Sequence, residues 1–138
     1  MKKDKMNNDI PLVSIIVATY NRSNILYYAL SSLIKSIFQE WECIVVGDAC
    51  TDDTENVISS LGDSRIRFVN LKENFGEQSG PNNYGCELAR GKYIAFLNHD
   101  DMWFPDHLTS CISYIEKWKT IMTLQQLITK FVVPRTIN

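Results

Sequence analysis

Four short apolar runs punctuate the chain, and each ends in a polar turn. Val13-Ser14-Ile15-Ile16-Val17-Ala18 follows Pro11 and is rich in β-branched residues, which predicts a strand buried on both faces. After Thr19-Tyr20-Asn21-Arg22, Ser23 stands where an N-cap belongs. The helix it would open carries Ile25, Leu26, Ala29, Leu30, Leu33, Ile34 and Ile37 at helical spacing and should stop near Phe38. Cys43-Ile44-Val45-Val46 predicts a second buried strand, leading into Gly47-Asp48-Ala49-Cys50-Thr51. Asp52 with Glu55 reads as a capping box for a helix through Ser60, closed by Gly62-Asp63. Ile66 to Val69 is a third strand, followed by a long polar segment from Asn70 to Pro81 and a short helix around Asn83 to Ala89 that ends at Gly91. Tyr93 to Leu97 is a fourth strand, delivered directly into Asn98-His99-Asp100-Asp101. Pro105 suits the first turn of a helix with Leu108, Cys111, Ile112, Ile115 and Trp118 on one face. Beyond it, Thr120 to Thr129 has a helical composition, and Phe131-Val132-Val133 reads as a strand cut short at Pro134.

Strands alternating with helices predict an α/β fold: a mostly parallel sheet with helices on both faces, right-handed crossovers, and ligand sites at the carboxyl ends of the strands. The 138 residues and their 45% hydrophobic content suit one domain. A formal net charge of -2 argues against a nucleic-acid partner, because phosphate tracking needs clustered Lys and Arg, and Asp4 interrupts the one cluster of Lys2, Lys3 and Lys5. No apolar run approaches the roughly 18 residues of a membrane span. Asn7, Asn8, Asp9 and Pro11 break any signal-peptide core, so a cytoplasmic location is expected. Cys43, Cys50, Cys86 and Cys111 lack C-x-x-C spacing, which favours reduced structural thiols over a zinc site.

The fold would gather the polar clusters around Asn21, Asp48 and Asp100 along one rim. Asp52 and Asp53 read as cap residues, whereas Asp48 precedes the cap and is placed for either a ligand or a local turn. Asp100 and Asp101 repel one another at a turn unless a cation or donor sits between them. With the neutral oxygen of Asn98 beside them, such hard ligands favour magnesium or manganese completed by a phosphate. His99 reads as a hydrogen-bonding neighbour rather than a metal ligand, and Trp103 and Phe104 as packing against the sheet. No G-x-G-x-x-G follows the first strand, and no P-loop or nucleophile elbow is present.

Three segments, Pro11 to Arg22, Val45 to Thr54 and Gly91 to Asp101, with Glu73-Asn74-Phe75-Gly76 between the last two, together resemble the start of the family 2 glycosyltransferases. The resemblance implies the GT-A fold and transfer of a sugar from a nucleotide-diphosphate donor to an acceptor hydroxyl, usually with inversion and a divalent metal on the diphosphate. By position, Ala18, Tyr20 and Asn21 would border the nucleotide base and Asp48 would hydrogen-bond it. Asp100 would bind the metal with Asn98, supported by Asp101 and His99. Three positions depart from the family pattern: Gly47 replaces the first of an acidic pair, Asn82 stands where many members carry arginine, and Asn98 replaces the first carboxylate of the metal motif.

The resemblance covers about Pro11 to Lys117, and the family continues into an acceptor-binding half that supplies the catalytic base. Residues 118–138 carry no such resemblance, so the chain is expected to hold a truncated GT-A fold with only the donor-binding half. The acceptor, a sugar, lipid or polysaccharide, is not named by these residues. Family acceptors in the cell envelope make peripheral attachment at the inner membrane face compatible with a cytoplasmic chain. A non-catalytic nucleotide-binding or interaction remnant is the alternative, and a nucleotidyltransferase ranks below both for want of a glycine-rich phosphate loop.

Overall fold

Strand β1 (Val13–Thr19) is buried along all seven residues. Its apolar side chains leave it no water-facing edge or face, so it takes the middle of the sheet. The structure, a computed structural model, describes residues 10–119 and 132–134. The other elements are α1 (Ser23–Ile34), β2 (Trp41–Gly47), α2 (Thr54–Ser60), β3 (Ile66–Asn70), α3 (Ser79–Leu88), β4 (Tyr93–Phe96), α4 (His107–Trp118) and β5 (Val132–Pro134).

The sheet order is β3-β2-β1-β4-β5. β2 and β4 flank β1 in parallel, β3 extends the sheet in parallel beyond β2, and β5 closes the other side antiparallel to β4. The chain therefore runs outward from β1 through β2 to β3, then returns to place β4 on β1's other edge. This reversal opens a crevice between the carboxyl ends of β1 and β4, where open α/β sheets bind ligands.

The period of two along β1 divides the core between the two faces. Val13, Ile15 and Val17 pack with Leu26, Ala29, Leu30 and Leu33 of α1, Ile58 of α2, and Leu108 and Ile115 of α4. Ile16 faces the other way, onto Ile44, Val46 and Ala89, with Cys86 and Leu88 of α3 against them. The α/β class, the parallel central sheet and the helices on both faces match the sequence expectation, and the four cysteines are free thiols.

Element ends differ from the sequence reading for local reasons. Helix α1 stops at Ile34 rather than near Phe38, because the Ile37 amide donates to the Pro105 carbonyl and Ile37 is 67% exposed. Helix α3 begins at Ser79, four residues before the expected start: Pro81 sits in its first turn, where a missing N–H costs nothing. Neither expected cap forms as written. Arg22 is the N-cap of α1 and Asp53 that of α2, both without a side-chain cap bond. Instead Asp52 accepts from the Thr54 amide and hydroxyl and from the Ser23 amide, and the Ser23 hydroxyl donates to Asp53. One acidic pair thus serves the starts of two helices. Burial acts to raise the Asp52 pKa, but the bonds from Thr54 and Ser23 prevail and hold it below the ordinary aspartate value. The helix expected over Thr120 to Thr129, and Phe131 of the expected last strand, lie outside the described residues.

At the amino ends of the strands a buried polar network joins β1, β2 and the α3–β4 turn. The Glu42 carboxylate accepts from the Ser14 hydroxyl at 2.7 Å, the Arg90 amide at 2.8 Å and the Arg90 guanidinium at 3.0 Å. The Ser14 hydroxyl in turn accepts from the Gly91 amide at 2.8 Å. Burial acts to raise the Glu42 pKa, yet the Ser14 and Arg90 bonds together hold it below the ordinary glutamate value. A depressed folded pKa stabilises the fold above the unfolded value of about 4.3, and that stability is lost as the pH falls from there through the folded value. Glu42→Gln should therefore destabilise the chain by about 2 kcal/mol at pH 7. In urea unfolding the gap to the wild type should shrink as the pH drops below about 4; a gap constant with pH would contradict this account.

Candidate functional site

The crevice between β1 and β4 contains a hollow of about 270 Å³. β1 and its turn contribute Ala18, Thr19 and Tyr20, the turn after β2 contributes Asp48, and the turn after β4 contributes His99. The β3–α3 loop supplies the remaining wall through Asn74, Gly76, Glu77 and Gln78, with Pro81 of α3 behind it. Two of these ten residues are carboxylates and none is Lys or Arg. Such a lining suits an uncharged, hydrogen-bonding ring system and repels phosphate. Thr19 Oγ1 and His99 Nδ1 are buried without a hydrogen-bond partner among the described residues, a deficit that a ligand or water would relieve.

Polar side chains hold the rim loops in shape. Asn21, with φ +49°, accepts from the Thr51 and Asp52 amides through Oδ1 and donates to the Thr51 hydroxyl. Asn70 brackets Cys50, accepting from its amide at 2.8 Å and donating to its carbonyl at 2.9 Å. Ala49 between them is held at φ +60°, a conformation costly for a side chain other than Asn or Asp. The neighbouring Gly47 has a steric reason: a Cβ there would stand 2.6 Å from Asn70 Oδ1 and 2.9 Å from the Phe68 ring. An acidic residue at position 47 would displace the Asn70 bracket.

Asp48 is 5% exposed. Its Oδ1 accepts from the Phe75 amide at 2.7 Å and its Oδ2 from the Gly76 amide at 3.0 Å, while Asn74 Nδ2 donates to its carbonyl at 2.9 Å. Of the residues expected to meet the nucleotide, Ala18, Tyr20 and Asp48 line the hollow. Asn21, Asn82 (by position a phosphate or donor contact in the family) and Asp100, likewise expected at the nucleotide sugar, are not part of its lining. The Asn21 amide is spent on the turn after β2, and Asn82 sits inside α3 with its amide donating to the Gln78 carbonyl.

On the β4 side of the crevice, Asn98 Nδ2 donates to Asp101 Oδ2 at 2.9 Å and the Asp101 amide to the Asn98 carbonyl at 3.1 Å. This turn leaves the Asp100 carboxylate exposed. Among the described residues no three His, Cys, Asp or Glu side chains gather into a metal-holding group. Asp100, Asp101 and the Asn98 oxygen are nevertheless hard donors of the kind magnesium takes singly or in pairs, with phosphate oxygens completing the shell. Trp103 packs against the core as expected, whereas Phe104 is exposed.

A larger hollow of about 1120 Å³ lies at the opposite ends of the strands, lined by Trp41, Glu42, Arg65, Arg67 and Arg90 among others. Arg90 is bound to Glu42, Arg65 to Asp63, and Arg67 to the Leu88 carbonyl. These arginines are committed to the fold, and the hollow is on the wrong side of the sheet for a switch-point ligand. Sequence reasoning missed Thr19, Glu77 and Gln78 as lining and Asn70 as the bracket. Asn70, a polar residue closing a strand, carried the one readable signal.

The sequence matches the family model described as Glycosyl transferase family 2 over residues 14–137. It is 34% identical over 113 residues to an Escherichia coli protein named UDP-Glc:alpha-D-GlcNAc-diphosphoundecaprenol beta-1,3-glucosyltransferase WfaP, covering 81% of this chain and 44% of that protein. A second Escherichia coli protein with the same description, WfgD, is 31% identical over 135 residues, covering 92% of this chain and 53% of its own length. Among solved structures, Staphylococcus aureus TarS 1-349 in complex with UDP-GlcNAc superposes with a TM-score of 0.74 at 28% identity, over 78% of this chain and 32% of that one. The chain thus spans about half or less of these relatives' length, and no helix among its described residues is long and apolar enough to cross a membrane. By fold, by the residues at its strand ends and by this match, the chain belongs to glycosyltransferase family 2.

Proposed function

We propose that this chain binds the donor of a reaction that moves a sugar from a uridine-diphosphate sugar to an acceptor hydroxyl, with inversion. The observation that carries the reading is the charge of the crevice: its hollow has carboxylates but no cationic lining, and Asp100 stands exposed on the β4 side. An uncharged nucleoside suits the hollow, whereas a diphosphate beside Asp100 needs a cation to bridge it. Uridine and a lipid-linked acceptor are supported by the names of the relatives, which use UDP-glucose and a diphosphoundecaprenol sugar, and by the UDP-GlcNAc bound to TarS.

In this reading Tyr20, 49% exposed on the wall of the hollow, stacks on the base. Ala18 keeps that wall low, and the unpaired Thr19 hydroxyl and His99 ring offer hydrogen bonds to the nucleoside. Asp100 and the Asn98 oxygen hold a divalent metal, manganese or magnesium, with Asp101 fixing the Asn98 side chain through the Asn98 amide. Bound there, the metal offsets charge that develops on the leaving diphosphate. The carboxylate that deprotonates the acceptor is assigned to an acceptor-binding half outside Pro11 to Lys117, and residues 118–138 are read as no part of the donor site.

Calorimetric titration with UDP, GDP, CDP and TDP, each with manganese, magnesium or chelator, tests this directly. UDP with manganese should bind, and chelator should abolish binding. Asp100→Ala and Tyr20→Ala should each weaken it by roughly tenfold or more. No binding by a folded chain would leave the remnant reading in its place. Asn98→Asp adds a charge to the site and should tighten manganese in the UDP complex by roughly tenfold, read by electron paramagnetic resonance. An unchanged manganese affinity would remove Asn98 from the metal site.

A further inference from the structure

We infer that the face formed by α1 and the turn after β4 is a docking surface for a lipid bilayer; the inference rests on reading the chain as a donor-binding unit that meets a lipid-linked acceptor. Four large apolar side chains gather there: Tyr28, Ile37, Met102 and Phe104, each between 62% and 82% exposed. Hydrogen bonds make them neighbours. The Trp103 amide donates to the Ser32 hydroxyl at 3.1 Å, and Tyr28 stands one helical turn before Ser32. The Ile37 amide donates to the Pro105 carbonyl at 2.8 Å. Residues 102–105 thus run along the carboxyl-terminal half of α1. Trp103 packs against the core, while Met102 before it and Phe104 after it are exposed. None of the four side chains belongs to either apolar cluster of the core. A single exposed apolar residue is ordinary, but a contiguous patch marks a contact surface.

Charge and residue type favour lipid as the occupant. Between Ser23 and Gln39 the chain has no carboxylate, and its one charged residue, Lys35, is exposed. Arg22, also exposed, adds a second cation at the start of the helix. Such a face rests in the headgroup region: the cations meet anionic lipid, the tyrosine ring sits at the interface, and Ile, Met and Phe reach the acyl boundary. Asp101 and Asp106 bracket residues 102–105 in sequence. Asp101 accepts from the Asn98 side chain and Asp106 opens α4 as its N-cap, so the run between them carries no charge.

Position supplies a reason for the contact. Met102 follows Asp100 by two residues, so the patch begins at the end of the crevice where the donor's diphosphate is read to lie. A bilayer held against this face presents the headgroup of a lipid-linked acceptor at the same edge of the fold as the donor. Four side chains and two cations make such an attachment weak and reversible.

The experiment floats the full chain with vesicles of phosphatidylcholine, alone or mixed with phosphatidylglycerol. The same preparations are titrated with UDP and manganese and sedimented without lipid. The wild type should float with the mixed vesicles and partition about fivefold or more weakly into phosphatidylcholine alone. Ile37→Ser combined with Phe104→Ser should weaken partition by roughly tenfold or more. Lys35→Glu should weaken partition into mixed vesicles by about tenfold, and it decides the matter if the double variant unfolds. Tyr84→Ser removes an exposed aromatic from α3, which packs on the opposite face of the sheet, and should change partition by less than about twofold. No flotation of a folded wild type, or flotation that the double variant leaves unchanged, overturns the docking surface. A wild-type dimer that the double variant splits, in place of flotation, overturns it too and assigns the patch to a second copy of the chain. A chain that binds UDP but no vesicle loses the docking surface alone, whereas flotation without UDP binding removes the donor reading and keeps the surface.

Discussion

The rest of the structure depends on the burial of β1. Seven consecutive buried residues require a hydrogen-bonded strand on each edge and a packed layer on each face. Once β2 has taken one edge and β3 has continued outward, only the other edge remains for β4. The crevice at the carboxyl ends of β1 and β4 follows from that divergence. Ala18, Thr19 and Tyr20 on one side and His99 on the other reach it because of where their strands end. The site is thus a consequence of the core, and its location needs no separate encoding.

What the core does not encode is the shape of the loops above the crevice. Those loops have few apolar contacts, and side-chain amides and carboxylates take the place of packing. Asn21 holds the turn after β2 from the β1 side, Asn70 brackets it from the β3 side, and Asp48 reaches out of it to hold the next loop. Each tie is a charged or amide group accepting from backbone N–H groups that helix and sheet leave unsatisfied. The positive φ at Ala49 is a costly conformation that such bonding on either side maintains, whereas Asn21 takes its own positive φ readily.

This division explains what could be read from the sequence. The four strands and the facing of their side chains follow from β-branched runs and period two, and all four parallel strands lie within two residues of their expected ends. Caps were harder. Ser23 and Asp52 have the right residue types one position from the caps of the right helices, yet they bond to each other across 29 positions of sequence, a pairing no local pattern encodes. The start of α3 was hidden because Gly80 and Pro81 signal a loop out of context and a first turn in it. Asp48 was legible as a site residue from its place after β2, but its engagement with Phe75 and Gly76 required the loop in three dimensions.

Charge then decides how a ligand must lie. Asp52 and Asp53 bond to the helix starts and Asp48 to the β3–α3 loop, and on the β4 side of the rim Asp100 stands exposed. A negatively charged group placed in the hollow would face Asp48 and Glu77 with no cationic side chain among its lining residues. An uncharged ring meets no such penalty and can relieve the unpaired Thr19 hydroxyl and His99 ring. A ligand with one neutral and one anionic end therefore lies with its neutral end inward, and its anionic end can stand beside Asp100 only with a cation between them. Replacing the first acid of the rim motif by Asn98 lowers the charge at that outer end without changing this order.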